Sequence, residues 1–373
     1  AVNVTHVVEN LNRGGLERMV LDLVGLQCQQ GLKPQVICLF EAGALAGELE
    51  PLGVPLVVCG KRTGLDLRAL RRLRRAVREH RTDVLHTHNA AAHYQAVLAT
   101  LGLPGRRRVI NTRHGMGAGQ RASRRDALYR AAMARTDAVV TVCDAARRDA
   151  VARGLVPESR TVVIPNGIRV GRFAASDGAA RLALRGHLSV APDTRLIGTV
   201  GRLNWAKDQD SLIRAFARVH ATRPDTALVL IGSGELRGDL EDRARLEGVA
   251  SAVHFLGDRS DVAQLLQGLD LFALSSVSEG YSMALLEAAA SALPIVATDV
   301  GGNAEIVRHG ETGMLVPSGD PPALADTLGA LLDAPASARE LGASARAWVL
   351  EHGSLKAMAA RYARLYEGGE VHG

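Results

Sequence analysis

The sequence predicts an α/β protein built from two parallel-sheet units in tandem, and three observations predict it. Short apolar runs alternate with helical patterns along nearly the whole chain, the arrangement that gives parallel strands covered by helices on both faces. The alternation runs to about residue 168, pauses over a polar stretch from Arg172 to Asp193, and then restarts. A length of 373 residues is more than one ordinary core organises and suits two. In open sheets of this kind ligands bind at the carboxyl ends of the strands, so functional residues are sought there.

The first series has strand-like runs at Asn3–Glu9, Gln35–Phe40, Pro55–Val58, Asp83–His86, Arg108–Asn111, Ala138–Val142 and Thr161–Ile164. Helical patterns fall between them, at roughly 16–30, 66–80, 90–101, 123–135 and 144–153. Pro165-Asn166-Gly167 closes this series, and the polar stretch that follows holds one short helix. The second series has strands at Leu196–Gly201, Ala227–Ile231, Val253–Leu256, Leu271–Leu274, Ile295–Ala297 and Met314–Val316. Its helices lie near 208–221, 235–246, 261–267, 283–291, 303–308 and 321–332, with two more at about 337–350 and 354–367. There is no short-period repeat and no low-complexity tail.

Composition narrows the function classes. Hydrophobic content of 47% and charged content of 23% are those of a soluble globular protein. No apolar run approaches the roughly 18 residues that span a bilayer. The first residues, Ala1 to Val8, lack a basic flank and a small-residue cleavage site, so they read as a strand and not as a signal peptide. Cys28, Cys38, Cys59 and Cys143 are widely spaced within apolar segments, which predicts buried reduced thiols in a cytoplasmic protein. The net charge of +6 is uneven, with nine Lys and Arg between residues 61 and 81.

Polar and glycine-rich signals collect at strand ends. Strand one runs into Asn12-Arg13-Gly14-Gly15-Leu16-Glu17, a glycine pair that opens a helix and suits close approach of a phosphate, though such a pair is often only a turn. It is neither GxGxxG nor a Walker loop, so dinucleotide and ATP chemistry gain no support. Asn111-Thr112-Arg113-His114-Gly115 puts a histidine on a rim loop. His86-Thr87-His88 share no Cys or acidic partner in sequence, which argues against a metal site. In the second series Gly201-Arg202-Leu203-Asn204-Trp205-Ala206-Lys207-Asp208 offers two cations that can converge on one diphosphate, or face solvent as a pair. Gly232-Ser233-Gly234-Glu235 and Gly257-Asp258-Arg259 are further turns at the same rim. Ser278-Glu279-Gly280-Tyr281-Ser282-Met283 follows a buried strand and leads into an Ala-rich helix holding Glu287. Two glutamates flanking an anion-binding helix start suit a phosphorylated sugar; a surface Glu and an unrelated helix Glu are the plainer reading.

Taken together, Gly14-Gly15, His114, Gly201-Arg202 with Lys207, and Glu279 with Glu287 in the context SEGYSMALLEAAASALPIVATDVGGNAEIV resemble the retaining glycosyltransferases of family 4. Pro165-Asn166-Gly167-Ile168, Gly301-Gly302-Asn303-Ala304-Glu305 and Gly310-x-Thr312-Gly313 are similar to that family as well. The resemblance runs in order over nearly the whole chain. It implies the GT-B fold, two Rossmann-like doubly wound domains facing each other across a cleft. The N-terminal, acceptor-side domain is then 1–168 plus about 354–373, because the family's final helix crosses back, and the C-terminal, nucleotide-sugar-binding domain is 169–353.

The resemblance also implies roles. A nucleoside-diphosphate sugar is the donor substrate, with a UDP-sugar favoured and a GDP-sugar allowed, and with no cofactor and no metal. Arg202, Lys207, Glu279 and His114 would be the catalytic residues. Arg202 and Lys207 would stabilise the diphosphate as it leaves, and Glu279 and His114 would meet the transferred sugar. Gly280, Tyr281 and Ser282 would offer backbone N–H groups, Glu287 would hold the ribose hydroxyls, Arg259 would lie beside the base, and Gly14 and Gly15 would approach the distal phosphate. Asn303, where many members have proline, is a departure that touches no charged group. Retention calls for leaving-group stabilisation, so losing Lys207 is expected to leave the fold and cost on the order of 10²–10³ in rate.

The expected activity is transfer of a hexosyl or N-acetylhexosaminyl group to a glycan, lipid-linked or small-molecule acceptor, in polysaccharide, lipopolysaccharide or other glycoconjugate synthesis. Acceptor contacts are expected from loops 87–95 and 113–121. A nucleotide-sugar epimerase of the same fold and a non-catalytic sugar-nucleotide-binding module are the alternatives. The basic helix 66–80 reads either as a solvated arginine face or as an electrostatic dock on the anionic inner face of the cell membrane. Without interleaved aromatics it does not read as a nucleic-acid site.

Overall fold

The computed structural model describes residues 1–12, 14–115 and 123–369. They divide into two units, one of residues up to Asn166 together with those from Leu355 onward, the other Gly167–Ser354. The last residues of the expected tail segment and most of loop 113–121 lie outside the described residues.

The first unit begins β1 (Asn3–Val8), α1 (Gly15–Gln29), β2 (Lys33–Cys38), β3 (Leu56–Val58), α2 (Leu67–Glu79) and β4 (Val84–His88). It continues α3 (Asn89–Thr100), β5 (Arg108–Arg113), α4 (Arg124–Ala132), β6 (Ala138–Thr141), α5 (Asp144–Ala152) and β7 (Thr161–Val163). Its strands pair in parallel in the order β3-β2-β1-β4-β5-β6-β7. β1 is buried along five of its six residues, as a strand covered on both faces must be. β4 runs two residues beyond its sequence-predicted end, because Thr87 and His88 continue the register with Asn111 and Thr112 of β5.

The second unit runs α6 (Gly178–Leu188), β8 (Arg195–Val200), α7 (Gln209–Thr222), β9 (Thr226–Ile231), α8 (Arg237–Leu246), β10 (Val253–Gly257) and α9 (Val262–Gln267). Then come β11 (Leu271–Leu274), α10 (Met283–Ala290), β12 (Ile295–Thr298), α11 (Asn303–Ile306), β13 (Met314–Val316), α12 (Pro321–Asp333) and α13 (Pro335–His352). The sheet order is β10-β9-β8-β11-β12-β13, again parallel throughout. The chain then returns to the first unit as α14 (Leu355–Tyr366).

Helix α14 belongs there by its own pattern. Leu355, Met358, Ala359, Tyr362, Leu365 and Tyr366 recur at three- and four-residue steps and form one apolar stripe. That stripe packs with Met19 and Leu23 of α1 and with Val84, Ile110 and Val140 of the sheet. In the second unit Leu212, Ile213, Phe216 and Val219 of α7 share a core with Leu324, Leu328 and Leu331 of α12. Phe216 is fully buried, so truncation to Ala would cost about 3–5 kcal/mol. The strand order reverses between β1 and β4 in one sheet and between β8 and β11 in the other, and in open α/β sheets such reversals are where ligands are generally found. Among the described residues no helix is long and apolar enough to cross a membrane.

Candidate active site

At the second sheet's reversal, two loops are tied together by their backbones. The turn after β11 donates Val277 N and Ser278 N to the carbonyl of Ala206, in the turn after β8, at 2.9 and 3.3 Å. Ser275 Oγ donates to the Lys207 and Asp208 carbonyls at 3.0 and 2.8 Å. Asn204 caps the short turn Trp205–Lys207 by accepting from Lys207 N at 3.2 Å. Asp208 then caps α7, accepting from Ser211 N. These ties bring Lys207 onto Glu279, seventy-two residues away in sequence.

Glu279 is buried, and its Oε1 accepts from Lys207 Nζ at 2.5 Å and from Ser276 Oγ at 2.6 Å. Its backbone is pinned from below by Gly301, whose φ of +52° favours glycine and whose Cβ, were there one, would stand 1.9 Å from the Glu279 carbonyl oxygen. Gly302 N donates to the Gly280 carbonyl at 2.8 Å. Tyr281 and Ser282 are buried, and Ser282 caps α10 through its side chain, accepting from Leu285 N at 3.2 Å. The N-cap of α10 thus stands three residues after Glu279, and one of the helix's first N–H groups, that of Leu285, is taken by the Ser282 cap.

Glu287 lies one turn into α10 and, unlike Glu279, is not paired with a cation among the described residues. Among the described residues its carboxylate has no hydrogen-bond or ion-pair partner, and burial pushes its pKa up to about 7. Arg202 stands apart from Lys207. Its side chain is 72% exposed, and among the described residues its ion-pair partner is Glu235 at 3.8 Å. The two cations that the sequence offers to one diphosphate differ in setting: Lys207 is paired with Glu279, and the Arg202 side chain is largely exposed. Arg259, in the turn after β10, forks onto Asp261 at 2.9 and 2.8 Å and donates to His187 Nε2 at 3.1 Å. Asn303 is buried and donates to the Thr298 carbonyl at 2.9 Å, while its Oδ1 has no hydrogen-bond partner among the described residues.

In the first unit Gly14 is the N-cap of α1 and Gly15 its first residue. A Cβ on Gly14 would meet the Glu17 carboxylate at 2.4 Å, whereas a Cβ on Gly15 would meet nothing within 4 Å. Gly15 thus offers open space at a helix start. His114, just past β5, is half-buried, not a simple rim residue. Its backbone N–H donates to Asn89 Oδ1 at 2.9 Å, and its Nε2 lies 2.9 Å from His88 Nδ1. Behind it stand His88, His6 and His86, their rings stacked or tilted at centroid distances between 4.4 and 5.3 Å. Sequence reasoning saw His86 and His88 but missed His6, which reaches them because β1 and β4 are neighbours with His6 opposite His86.

Ring nitrogens of His6, His86 and His88 lie within 4.8 Å of one another, close enough to test as a metal site. Each already carries a hydrogen bond. His6 Nδ1 faces His88 Nε2 at 3.0 Å, His6 Nε2 faces Gln27 Oε1 at 2.8 Å, and His86 faces Tyr366 OH and Thr112 Oγ1 at 2.6 and 2.8 Å. Burial lowers the pKa of His6 to about 4 and of His114 to about 3, and holds His86 and His88 well below the ordinary histidine value. The four rings are linked by hydrogen bonds and stacking, and burial disfavours the charged form of each. None of the four cysteines forms a disulfide.

Comparison with known proteins agrees on the class. The profile described as Glycosyltransferase Family 4 matches residues 13–172, and that described as Glycosyl transferases group 1 matches residues 194–334. The chain is 32% identical to the GDP-mannose-dependent alpha-(1-6)-phosphatidylinositol monomannoside mannosyltransferase of Mycolicibacterium smegmatis, over 80% of this chain and 79% of that one. It is 30% identical to the putative glycosyltransferase EpsD of Bacillus subtilis, over 75% of each. Among solved structures, Anabaena Alr3699/HepE in complex with UDP superposes with a TM-score of 0.87 at 22% identity, covering 99% of this chain and all of that one.

Proposed function

The chain belongs to glycosyltransferase family 4, with the GT-B fold, and from that premise we propose that it transfers a hexosyl or N-acetylhexosaminyl group, with retention, from a nucleoside-diphosphate sugar. The observation that carries this reading is the Lys207–Glu279–Ser276 cluster beside the start of α10, at the reversal point of the second sheet. A cation, a sugar-binding carboxylate and a helix N-terminus occupy one place there.

In this reading Lys207 and Arg202 take the diphosphate in place of a divalent metal. Glu279 accepts hydrogen bonds from hydroxyls of the transferred sugar, with His114 at a second hydroxyl. Glu287 holds the ribose diol, Arg259 lies beside the base, and Gly14 and Gly15 face the distal phosphate. Gly280, Tyr281 and Ser282 contribute backbone donors. The C1–O bond to phosphate breaks while the acceptor oxygen bonds C1 from the same face. The departing phosphate oxygen takes the acceptor's proton, so atoms and charge balance without a protein base. The first unit supplies the acceptor side and the second the nucleotide side.

The donor is a UDP-sugar in preference to a GDP-sugar, although the mycobacterial relative is GDP-mannose-dependent. The acceptor is a glycan, lipid-linked or small-molecule hydroxyl, and helix α2 docks the enzyme electrostatically on anionic lipid. A thermal-shift screen against UDP, GDP, ADP, TDP and their sugars tests the donor, since a ligand at 100 times its Kd adds about 2.7 kcal/mol. Product anomers read by NMR then test retention. Stabilisation by no nucleotide, or an inverted anomer, overturns the proposal.

A further inference from the structure

The histidine chain of the first unit has a direction, and its hydrogen bonds reveal it. Gln27 of α1 donates its amide N–H to Tyr366 OH at 3.0 Å and presents Oε1 to His6 Nε2 at 2.8 Å. A carbonyl oxygen only accepts, so His6 must carry its proton on Nε2. A neutral ring then has a bare Nδ1, which obliges His88 to donate from Nε2 across 3.0 Å. His88 Nδ1 is bare in turn, and His114 must donate from Nε2 across 2.9 Å. What remains is His114 Nδ1, buried and without a hydrogen-bond partner among the described residues.

The other branch closes consistently. Tyr366 OH, having accepted from Gln27, donates to His86 Nδ1 at 2.6 Å, and His86 Nε2 donates to Thr112 Oγ1 at 2.8 Å. Thr112 and Tyr362 share a further bond at 3.0 Å. Every ring is neutral because burial depresses each histidine, and burial also keeps the Tyr366 phenol protonated. Turning the Gln27 amide over would reverse the series and place a proton on His114 Nδ1. One amide therefore decides whether His114 accepts or donates.

We propose that Gln27, anchored by Tyr366 of the returning helix α14, is a positioning residue that fixes the tautomers of His6, His88 and His114 in series and so presents the Nδ1 lone pair of His114 as an acceptor for a hydroxyl of the transferred sugar. The sugar's part in this rests on the donor reading above; the tautomer series does not. The arrangement selects donors with a hydroxyl at that position over analogues carrying only an acceptor there, such as fluorine.

Long-range proton–nitrogen NMR spectra of the full chain, labelled at histidine with nitrogen-15 and recorded without nucleotide near neutral pH, test it. His6, His86, His88 and His114 are all expected to carry the proton on Nε2. Gln27→Met, of similar volume, is expected to mix the tautomers of His6, His88 and His114 and to lower kcat/KM about ten-fold. Gln27→Glu, with its carboxyl ionised, can only accept. It is therefore expected to keep the proton on His6 Nε2, to preserve the His114 tautomer and most activity, and to move the His86 proton to Nδ1, because Tyr366 OH then donates to the carboxylate.

Wild-type His114 protonated on Nδ1 overturns the series, and so does a Gln27→Met chain whose three rings keep their tautomers. If Gln27→Met fails to fold, the wild-type spectrum and Gln27→Glu still decide. Zinc bound to His6, His86 and His88 in the purified chain also overturns it, because a metal takes lone pairs the series uses. If the tautomers are as assigned but neither a UDP-hexose nor a GDP-hexose moves the His114 Nδ1 signal, the donor reading fails and the series stands.

Discussion

Replacing Glu287 by Gln should stabilise the protein and weaken it as a nucleotide binder. The carboxyl is pushed up to about 7 by burial alone and has no partner among the described residues to offset that cost. Between the ordinary glutamate value and about 7 the native state holds a proton that the unfolded chain has released. Unfolding free energy therefore falls as pH rises through that window, and the loss is complete above it. The full shift corresponds to about 3 kcal/mol, which partial exposure reduces to about 2. Glu287→Gln lacks this loss. Its advantage over the wild type should be near zero at pH about 4.5 and about 2 kcal/mol at pH about 8, a rise of about 4–8 °C in Tm for a unit of this size. Loss of a charged acceptor for two ribose hydroxyls should weaken UDP or GDP binding by about 10–100-fold. Thermal melts at both pH values and calorimetric titration with the nucleotides read the two effects. An equal stability gap at both pH values would refute the unpaired-charge argument, and unchanged nucleotide affinity would refute the ribose assignment.

Gly15→Ala fills space that is empty in the protein itself, so its stability should hold or rise by about 0.5–1 kcal/mol while donor affinity drops; equal affinity in a titration would remove Gly15 from the phosphate site. Gly301→Ala combines a left-handed backbone with a 1.9 Å approach to the Glu279 carbonyl, and should destabilise by about 2–4 kcal/mol and displace the Lys207–Glu279 pair. A normal denaturation midpoint would show that the loop yields without cost. On α2, Arg72 and Arg74 spend their guanidinium groups on backbone carbonyls and Arg75 pairs with Glu79, which leaves the exposed Arg68, Arg71 and Arg78 for lipid. At about 1 kcal/mol each, changing all three to Gln should reduce co-sedimentation with anionic vesicles by about 10²-fold at low salt, and a wild type that never binds them ends the docking proposal.

Much of the architecture was legible because period and position carry it. The stripe from Leu355 to Tyr366 is visible as spacing alone, and Glu287 is readable as a carboxylate one turn inside an Ala-rich helix. The site was legible as a set of loops at strand ends. Its pairings were not. Lys207 meets Glu279 only because the Ala206 carbonyl and Ser275 knit two loops whose strands are adjacent, and strand adjacency is a property of the whole sheet. His6 joined His86 and His88 for the same reason. The serines Ser275 and Ser276 carried a faint signal, two hydroxyls directly after an apolar strand, that composition could not rank above any other turn.

The Lys207–Glu279 pair changes what a Lys207 substitution means. Glu279 is only 6% exposed in its side chain against 23% for Lys207, so Lys207→Ala leaves a buried carboxylate with one hydroxyl for company. Breaking a buried pair from one side costs about 3–5 kcal/mol, which this partly exposed pair reduces to about 2–4. Lys207→Ala is therefore expected to keep the fold at reduced stability, so lost turnover in that variant mixes instability with chemistry. The double variant Lys207→Ala/Glu279→Gln removes both charges and should recover most of the stability while leaving turnover on the order of 10²–10³ below wild type. If the double variant is no more stable than the single one, the pair is not what holds Glu279 in place. If turnover returns with stability, Lys207 is structural, and the cation that meets the leaving diphosphate must be sought in Arg202, which the structure leaves in solvent beside Glu235.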